Sequence, residues 1–443
     1  MKIEITLKSL GRLFYIVDPR EETFEKVEDV PDYVTEVLPL FLILMFIEIL
    51  ISLWKKKHSY SLLDSIGSIS QGICSESTKL LFKGVPLAAY IWIYDNWRVT
   101  DLPWNSIWTW LICFIGVDFG YYWLHRASHE INILWAAHQV HHSSEHYNAT
   151  TAVRQSILQN YLTWMFYLPL ALGIPPSIFL VHQQFNLIYQ FWIHTELISS
   201  LGPLEYIFNT PSHHRVHHGR NRYCIDKNYA GTFIIWDRIF GTFECENDEV
   251  VYGVTHPVTT FDPSYIQLGH FIHIFKTFWE VKGFNNKLSV LFKGPGWTPG
   301  KPRLGLIEDI PDVRAPHDRY NPHLPTWCKV YVLVHFSLIL AAFMDLADRH
   351  GSFNQLTVIC GLMYCMLSLT SFGSIMDKKH WAPLVEFARC LLYYTVDLYF
   401  LPSEESSYYV FVMALRAVFL FSALLWTLCL VQVLSLKFHK KIK

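Results

Sequence analysis

Long apolar runs recur along the whole chain, and they constrain its fold more than any other feature. A helix that crosses a bilayer needs about 20 mostly apolar residues. The first such run covers 37–54 and ends at Lys55, Lys56 and Lys57. Others lie at 80–97 and 104–124, the latter opening on tryptophans suited to a membrane interface. A pair at 157–172 and 177–193 is joined by Gly173, Ile174, Pro175 and Pro176. After a long polar stretch at 194–325, four more fall near 327–345, 356–376, 382–401 and 408–436. Charged residues make up only 17% of the chain, against about 25% in a soluble domain. The expected fold class is therefore all-α integral membrane, a multi-pass helical bundle of about nine spans. Glu386 and Arg389 within 382–401 mark that helix as tilted or interfacial. The aromatic-rich stretch 261–284, with His270, His273, Lys276 and Lys282 interspersed, suits a helix lying in the interface.

Basic residues orient this map, because cytosolic loops carry an excess of lysine and arginine. With Lys55 to Lys57 in the cytosol, nine crossings put 125–156, 194–325, Lys378 with Lys379, and the tail 437–443 there too. The last four residues, Lys440, Lys441, Ile442 and Lys443, look like the dilysine retrieval signal of endoplasmic-reticulum membrane proteins. A basic tail attracted to anionic lipid is the plainer alternative. Residues 1–30 carry no cleavable signal pattern, so the first long apolar run does the targeting. Four segments are expected: an N-terminal segment 1–36, a membrane-embedded core 37–243, a cytosolic or interfacial segment 244–325, and C-terminal helices with the basic tail 326–443.

Several function classes drop out. A net charge of -2 argues against a nucleic-acid partner. None of the nine cysteines forms a Cys-x-x-Cys pair, so neither a disulfide framework nor a thiolate metal site is signalled. Asn148, Ala149 and Thr150 match a glycosylation sequon, but the orientation above keeps it in the cytosol and unmodified.

Histidine is the outlier, and ten of the 22 fall in two short windows. His125 and His129 are four apart, so on a helix they share a face, with Asp118 two turns earlier. His138, His141 and His142 form a second block, and His214, His217 and His218 a third. Imidazole suits first-row transition metals. One structural zinc takes about four ligands, so eight histidines fit two metals. Two all-nitrogen metals with open positions suit dioxygen activation at iron. A single histidine at a membrane edge is usually a satisfied polar residue; three blocks of compatible spacing are not explained that way.

The order His-x-x-x-His, His-x-x-His-His, His-x-x-His-His among apolar runs resembles the fatty acid hydroxylase superfamily of membrane di-iron oxygenases. Residues 118–156, 191–202 and 210–241, with Lys293 to Trp297 and Gly300 to Gly305, resemble most closely its ether-lipid-cleaving branch. The likeness covers most of 25–310; the C-terminal runs share only hydropathy.

The resemblance implies His125, His129, His138, His141, His142, His214, His217 and His218 as iron ligands. It adds His194 as a ninth, with Gln190 where the superfamily pattern has a further histidine. Glu130 is implied as a functional carboxylate, hydrogen-bonded to an imidazole or relaying protons. Asp118 and Asn148 are implied as supports of the site. Asn228, Trp236 and Asp237 are read as fixing the turn after the last block, while His146 and His213 are not ligands. The implied substrate is an O-alkylglycerol or lyso-ether lipid entering from the bilayer. Dioxygen is used to hydroxylate its ether-linked carbon, and the hemiacetal collapses to a fatty aldehyde and glycerol. Tetrahydrobiopterin is the implied electron donor, its binding residues unassigned within 220–310.

Rival readings are a sterol or fatty-acyl hydroxylase or desaturase fed by a haem protein, a zinc transporter or metal-binding membrane protein, and a scaffold with a relic site. Transporters hold ligands near the bilayer midplane, whereas these blocks cluster at one cytosolic edge.

Overall fold

The computed structural model describes residues 7–57, 59–82, 84–399 and 409–442, with side chains as far as 432. All regular elements among the described residues are helical, beside two isolated β-bridges, Phe208 with Phe233 and Gly219 with Tyr252. The chain divides into two compact units, Met1–Val258 with Ile266–Arg319, and Thr259–Tyr265 with Tyr320–Lys443.

The first unit begins with α1 (Leu7–Leu13), α2 (Tyr33–Trp54), α3 (Leu62–Phe82), α4 (Val85–Trp97), α5 (Ile107–Glu130) and α6 (Asn132–His142). Short α7 (Ala149–Ala152) and α8 (Gln159–Thr163) lead into a 3-10 stretch, Trp164–Leu172, and then α9 (Pro176–Trp192). α10 (Pro211–His217), α11 (Ile235–Ile239), α12 (Pro263–Glu280) and α13 (Phe284–Phe292) follow.

Long-range hydrogen bonds define two ends of this unit. At one, Lys57 Nζ donates to Glu196 O, Asn148 Nδ2 to Ser59 O, and Gln159 Nε2 to Ser128 Oγ. At the other, Val99 N and Thr100 N donate to Leu172 O, Leu102 N to Gly173 O, and Ser177 Oγ to Phe24 O. The chain travels between these ends five times: along α2, along α3 with α4, along α5, through α8 and the 3-10 stretch, and back along α9.

Five helices among the described residues are long and apolar enough to cross a membrane: Val27–Trp54, Ile107–Glu130, Thr326–Ser352, Gln355–Met376 and Tyr409–Gln432. The other four expected runs form shorter helices. At 80–97 the chain turns at Gly84 (φ +102), leaving the 13-residue α4. At 157–172, Pro169 sits in the 3-10 stretch, because a proline inside an α-helix removes a donor and clashes with the preceding turn. The helices at 177–193 and 382–401 are each 17 residues long. Sequence reading also missed α3. Its serines hide it, yet Ser70 and Ser77 bond back to the carbonyls of Ile66 and Ile73, which lets a polar helix bury half its surface.

α12 exposes Leu268, Ile272, Phe275 and Trp279, and α13 exposes Phe284, Leu288 and Phe292. These three- and four-residue steps put the apolar side chains on one outward stripe, the pattern of an interfacial helix. Ile274 and Val290 turn inward onto Ala136 and Trp297.

The second unit holds α14 (Thr326–Arg349), α15 (Gln355–Met376), α16 (Ala382–Leu398) and α17 (Tyr409–Ile442). The charges that marked α16 as interfacial are accounted for differently: Glu386 and Arg389 are both fully buried and paired with each other. In the dilysine-like tail, Lys443 and the side chains of Lys440, Lys441 and Ile442 lie outside the described residues.

Candidate metal centre

α5 carries its last two turns past the apolar run, so His125 and His129 leave the same face. The extended residue Ile131 (φ -125) turns the chain into α6, which supplies His138, His141 and His142. Pro211 in the first turn starts α10, a position where its missing N–H costs nothing. α10 supplies His214 and His217, with His218 as its C-cap. His194 lies just beyond α9.

These nine histidines are all buried and meet as two adjoining groups. His125, His129, His138, His142 and His217 form one; His141, His194, His214 and His218 form the other. Within each group the candidate ligand nitrogens lie within 4.8 Å of one another. Each four-residue pair stays in one group: His125 with His129, His138 with His142, His214 with His218. The remaining member of each later block, His141 or His217, crosses to the other group.

Backbone carbonyls orient the rings. His125 Nδ1 donates to Tyr229 O at 2.8 Å, His141 Nδ1 to Arg154 O at 3.1 Å, His194 Nδ1 to Gln190 O at 2.7 Å, and His217 Nδ1 to Lys227 O at 2.9 Å. A proton fixed on Nδ1 leaves the lone pair on Nε2.

That arrangement tests whether the donors fit a metal. His141 Nε2 and His194 Nε2 face each other at 3.3 Å. Both rings place their proton on the far nitrogen, so two lone pairs meet with no hydrogen between them. His194 and His214 Nε2 are 3.1 Å apart, and His125 and His138 Nε2 are 3.0 Å apart. Among the described residues, His129 Nε2, His214 Nδ1 and His217 Nε2 are buried with no hydrogen-bond partner. Unpaired buried polar groups cost about 1–3 kcal/mol each, and converging lone pairs add repulsion. A cation within each group removes both penalties. Burial holds His138, His142, His214 and His218 well below the usual imidazole range, neighbouring rings adding to it, and His141 falls to about 4. These rings are thus neutral at physiological pH and have lone pairs to offer a metal. Imidazole-only donor sets suit iron, zinc, copper or nickel.

The other residues singled out from sequence surround this centre without entering it. Asp118 is fully buried and accepts four hydrogen bonds: Oδ1 from Thr232 N and Asn186 Nδ2, Oδ2 from Phe233 N and Trp236 Nε1. It ties α5 to the segment whose Tyr229 carbonyl orients His125. Asp237 accepts from Tyr229 N and Ala230 N, and Asn228 (φ +55) bonds His213 O and the Glu244 backbone. Both fix the turn after the last block. Asn148 caps α7 and donates to Ser59 O. Among the described residues Glu130 accepts no hydrogen bond from an imidazole, one of the two roles expected of it. Its oxygens accept from Arg126 Nε at 2.8 Å and Arg303 Nη1 at 2.9 Å. Gln190 turns away to Asn186, and His146 and His213 lie outside both groups.

Sequence reasoning missed Glu48 and Asp226. Glu48, buried in α2, accepts from Thr195 Oγ1, Tyr60 OH and Ala149 N, beside His194. Asp226 lies 3.8 Å from His129 Nδ1. An acidic residue inside an apolar run was the available signal for Glu48; the sequence around Asp226 carries none.

The fatty acid hydroxylase family matches residues 110–242, the segment holding all nine histidines, and the alkylglycerol monooxygenase C-terminal domain matches 328–413. Alkylglycerol monooxygenase of Xenopus tropicalis is 53% identical over 392 residues, 88% of each chain. The Homo sapiens protein of that name is 53% identical over 382 residues, 86% of each chain. The Caenorhabditis elegans one is 41% identical over 420 residues, 89% of this chain and 83% of its own. No solved structure matches. With a histidine centre inside the matched segment and likeness of this extent along both units, the chain belongs to the alkylglycerol monooxygenase family.

Proposed function

We propose that this membrane monooxygenase hydroxylates the ether-linked carbon of O-alkylglycerols, giving a hemiacetal that breaks down to a fatty aldehyde and glycerol. The observation that carries this reading is the pair of adjoining, buried, all-histidine groups, together with relatives named for the substrate. His125, His129, His138, His142 and His217 would hold one iron, and His141, His194, His214 and His218 the other. Iron bound there supplies the activation of dioxygen that C–H hydroxylation requires. The protein's part is orientation and exclusion of water. The carbonyls of Tyr229, Arg154, Gln190 and Lys227 set the ring angles, and burial keeps solvent from the reacting carbon.

Tetrahydrobiopterin is the proposed donor of the two electrons, bound within 220–310, a reading that rests on family resemblance. Glu130, held by Arg126 and Arg303 near Asp226, is proposed to move protons at the rim. Asp118 and Asn148 are proposed as positioning residues.

Nine crossings remain the proposed topology: the five passes of the first unit and the four helices of the second. The four segments bounded at 36, 243 and 325 are proposed on the same basis. The histidine centre shares an end with Lys57, which supports a cytosolic-facing site; the dilysine-like tail supports the endoplasmic reticulum. Asn148 then stays unglycosylated, and its amide is buried and donating to Ser59 O. Glycosidase treatment of the protein expressed in animal cells is expected to leave its gel mobility unchanged. A shift abolished by Asn148→Gln would reverse the orientation.

The functional test is aldehyde release from 1-O-alkylglycerol by membranes expressing this chain, with tetrahydrobiopterin and oxygen supplied. Pterin-dependent release is expected. Equal release without pterin would remove the donor from the proposal. Hydroxylation only of sterol or acyl chains, driven by a haem protein, would move the chain to the rival class.

A further inference from the structure

The second unit buries a polar network that the proposed reaction does not use. Arg389 donates to both oxygens of Glu386, from Nη2 at 2.5 Å and Nε at 2.7 Å. Tyr331 OH and Ser371 Oγ also donate to Glu386. Arg389 reaches Tyr364 OH through Nη1 and His335 Nδ1 through Nη2. Burying an ion pair seldom stabilises more than packed apolar residues would, and ionisable residues within membrane-crossing helices usually mark a site.

A groove of about 370 Å³ opens beside this network, between α14 and α17. That volume lies within the range of small-molecule sites. Val334, Ala417, Val418 and Phe421 give it apolar walls, and Tyr331, His335 and Ser422 supply its polar atoms. Both helices that form the groove are apolar enough to cross a membrane.

The hydrogen-bond directions specify what fits. Arg389 can only donate, so His335 Nδ1 accepts and its Nε2–H donates to Ser422 Oγ at 2.9 Å. Ser422 OH donates to Val418 O, and Tyr331 OH to Glu386. No lining side chain keeps an N–H or O–H to give; the oxygens of Tyr331 and Ser422 can still accept. The Trp426 indole packs against the Tyr331 ring and does not line the groove. Glu386 and Arg389 neutralise each other, so no charge is left to recruit an ionic headgroup.

We propose that this groove binds a neutral lipid alcohol, its hydroxyl donating to Tyr331 and Ser422 and its hydrocarbon lying on Val334, Val418 and Phe421. A carbonyl-only lipid finds no donor there, and an ionic headgroup no counter-charge. Glycerol ethers and sterols share the required chemistry.

The test is photolabelling of the full-length chain in nanodiscs with diazirine-tagged 1-O-hexadecylglycerol, a diazirine sterol and a diazirine fatty acid methyl ester. Either alcohol is expected to label peptides of α14 and α17 about tenfold more than the ester, the worth of a well-made hydrogen bond; the stronger of the two identifies the source. Val418→Trp, which fills the groove, and Ser422→Ala, which removes an acceptor, are expected to lose that label while iron content stays unchanged. Ser422→Ala alone carries the test if the tryptophan variant fails to assemble. Equal labelling by the ester, label confined to the first unit, label unaffected by Ser422→Ala, or crosslinks on this face to a second copy of the chain would each overturn the proposal.

Discussion

Replacing His141 by alanine is expected to abolish aldehyde release and to cost the protein one of the two iron ions proposed for it. His141 belongs to the smaller group, with His194, His214 and His218. Its loss leaves three imidazoles, and among the described residues no Asp, Glu or Cys belongs to that group to substitute for it. The other group keeps all five nitrogens, so its iron should stay. His146→Ala and His213→Ala are the matched controls, since both histidines lie outside the groups. They should keep both ions and most of the activity. Comparable iron loss in the controls would mean that the nine-histidine assignment is wrong; full activity in His141→Ala would mean that the smaller group is not used.

Asp118→Ala is expected to unsettle the same centre without touching a ligand. Three donors would lose their acceptor inside the protein, Thr232 N, Phe233 N and Trp236 Nε1, while Asn186 Nδ2 would keep only Thr232 Oγ1. At about 1–3 kcal/mol for each unsatisfied buried group, the loss should be on the order of 4 kcal/mol. It should appear as a lower unfolding temperature and as weaker iron retention, because the 229–233 segment orients His125 through Tyr229 O. Loss of such outer support typically weakens metal binding or activity by about 10–100-fold. Asp118→Asn keeps one acceptor oxygen and should fall between. Unchanged unfolding and iron content in Asp118→Ala would show that the segment is held by its other contacts, chiefly Asp237.

The histidine blocks were legible because helical spacing carries chemical meaning: a pair four apart must share a face. That rule also sorts the groups, keeping His138 with His142 and sending His141 across. The orientation of the rings was not legible. It depends on the carbonyls of Tyr229, Arg154, Gln190 and Lys227, and every residue has a carbonyl. Asp118 was found for its place on the α5 face, but its work is to hold the 232–236 backbone. Glu130 follows His129 in sequence, yet the helix turns it away toward Arg126 and Arg303. Hydropathy located the five long apolar helices well and the shorter helices poorly. It missed α3, where serines satisfy themselves against the preceding turn, and it took Glu386 and Arg389 as marks of a tilted or interfacial helix because a partner three residues away on the same helix does not register as burial.

Metal content of the purified, detergent-solubilised chain, measured by mass spectrometry together with Mössbauer spectra of the iron-57 protein, tests the paired-iron centre most directly. Two irons per chain in nitrogen-rich surroundings, falling to one in His141→Ala, is the expected result. A single zinc, or a chain that folds and releases aldehyde with no stoichiometric iron, would contradict it.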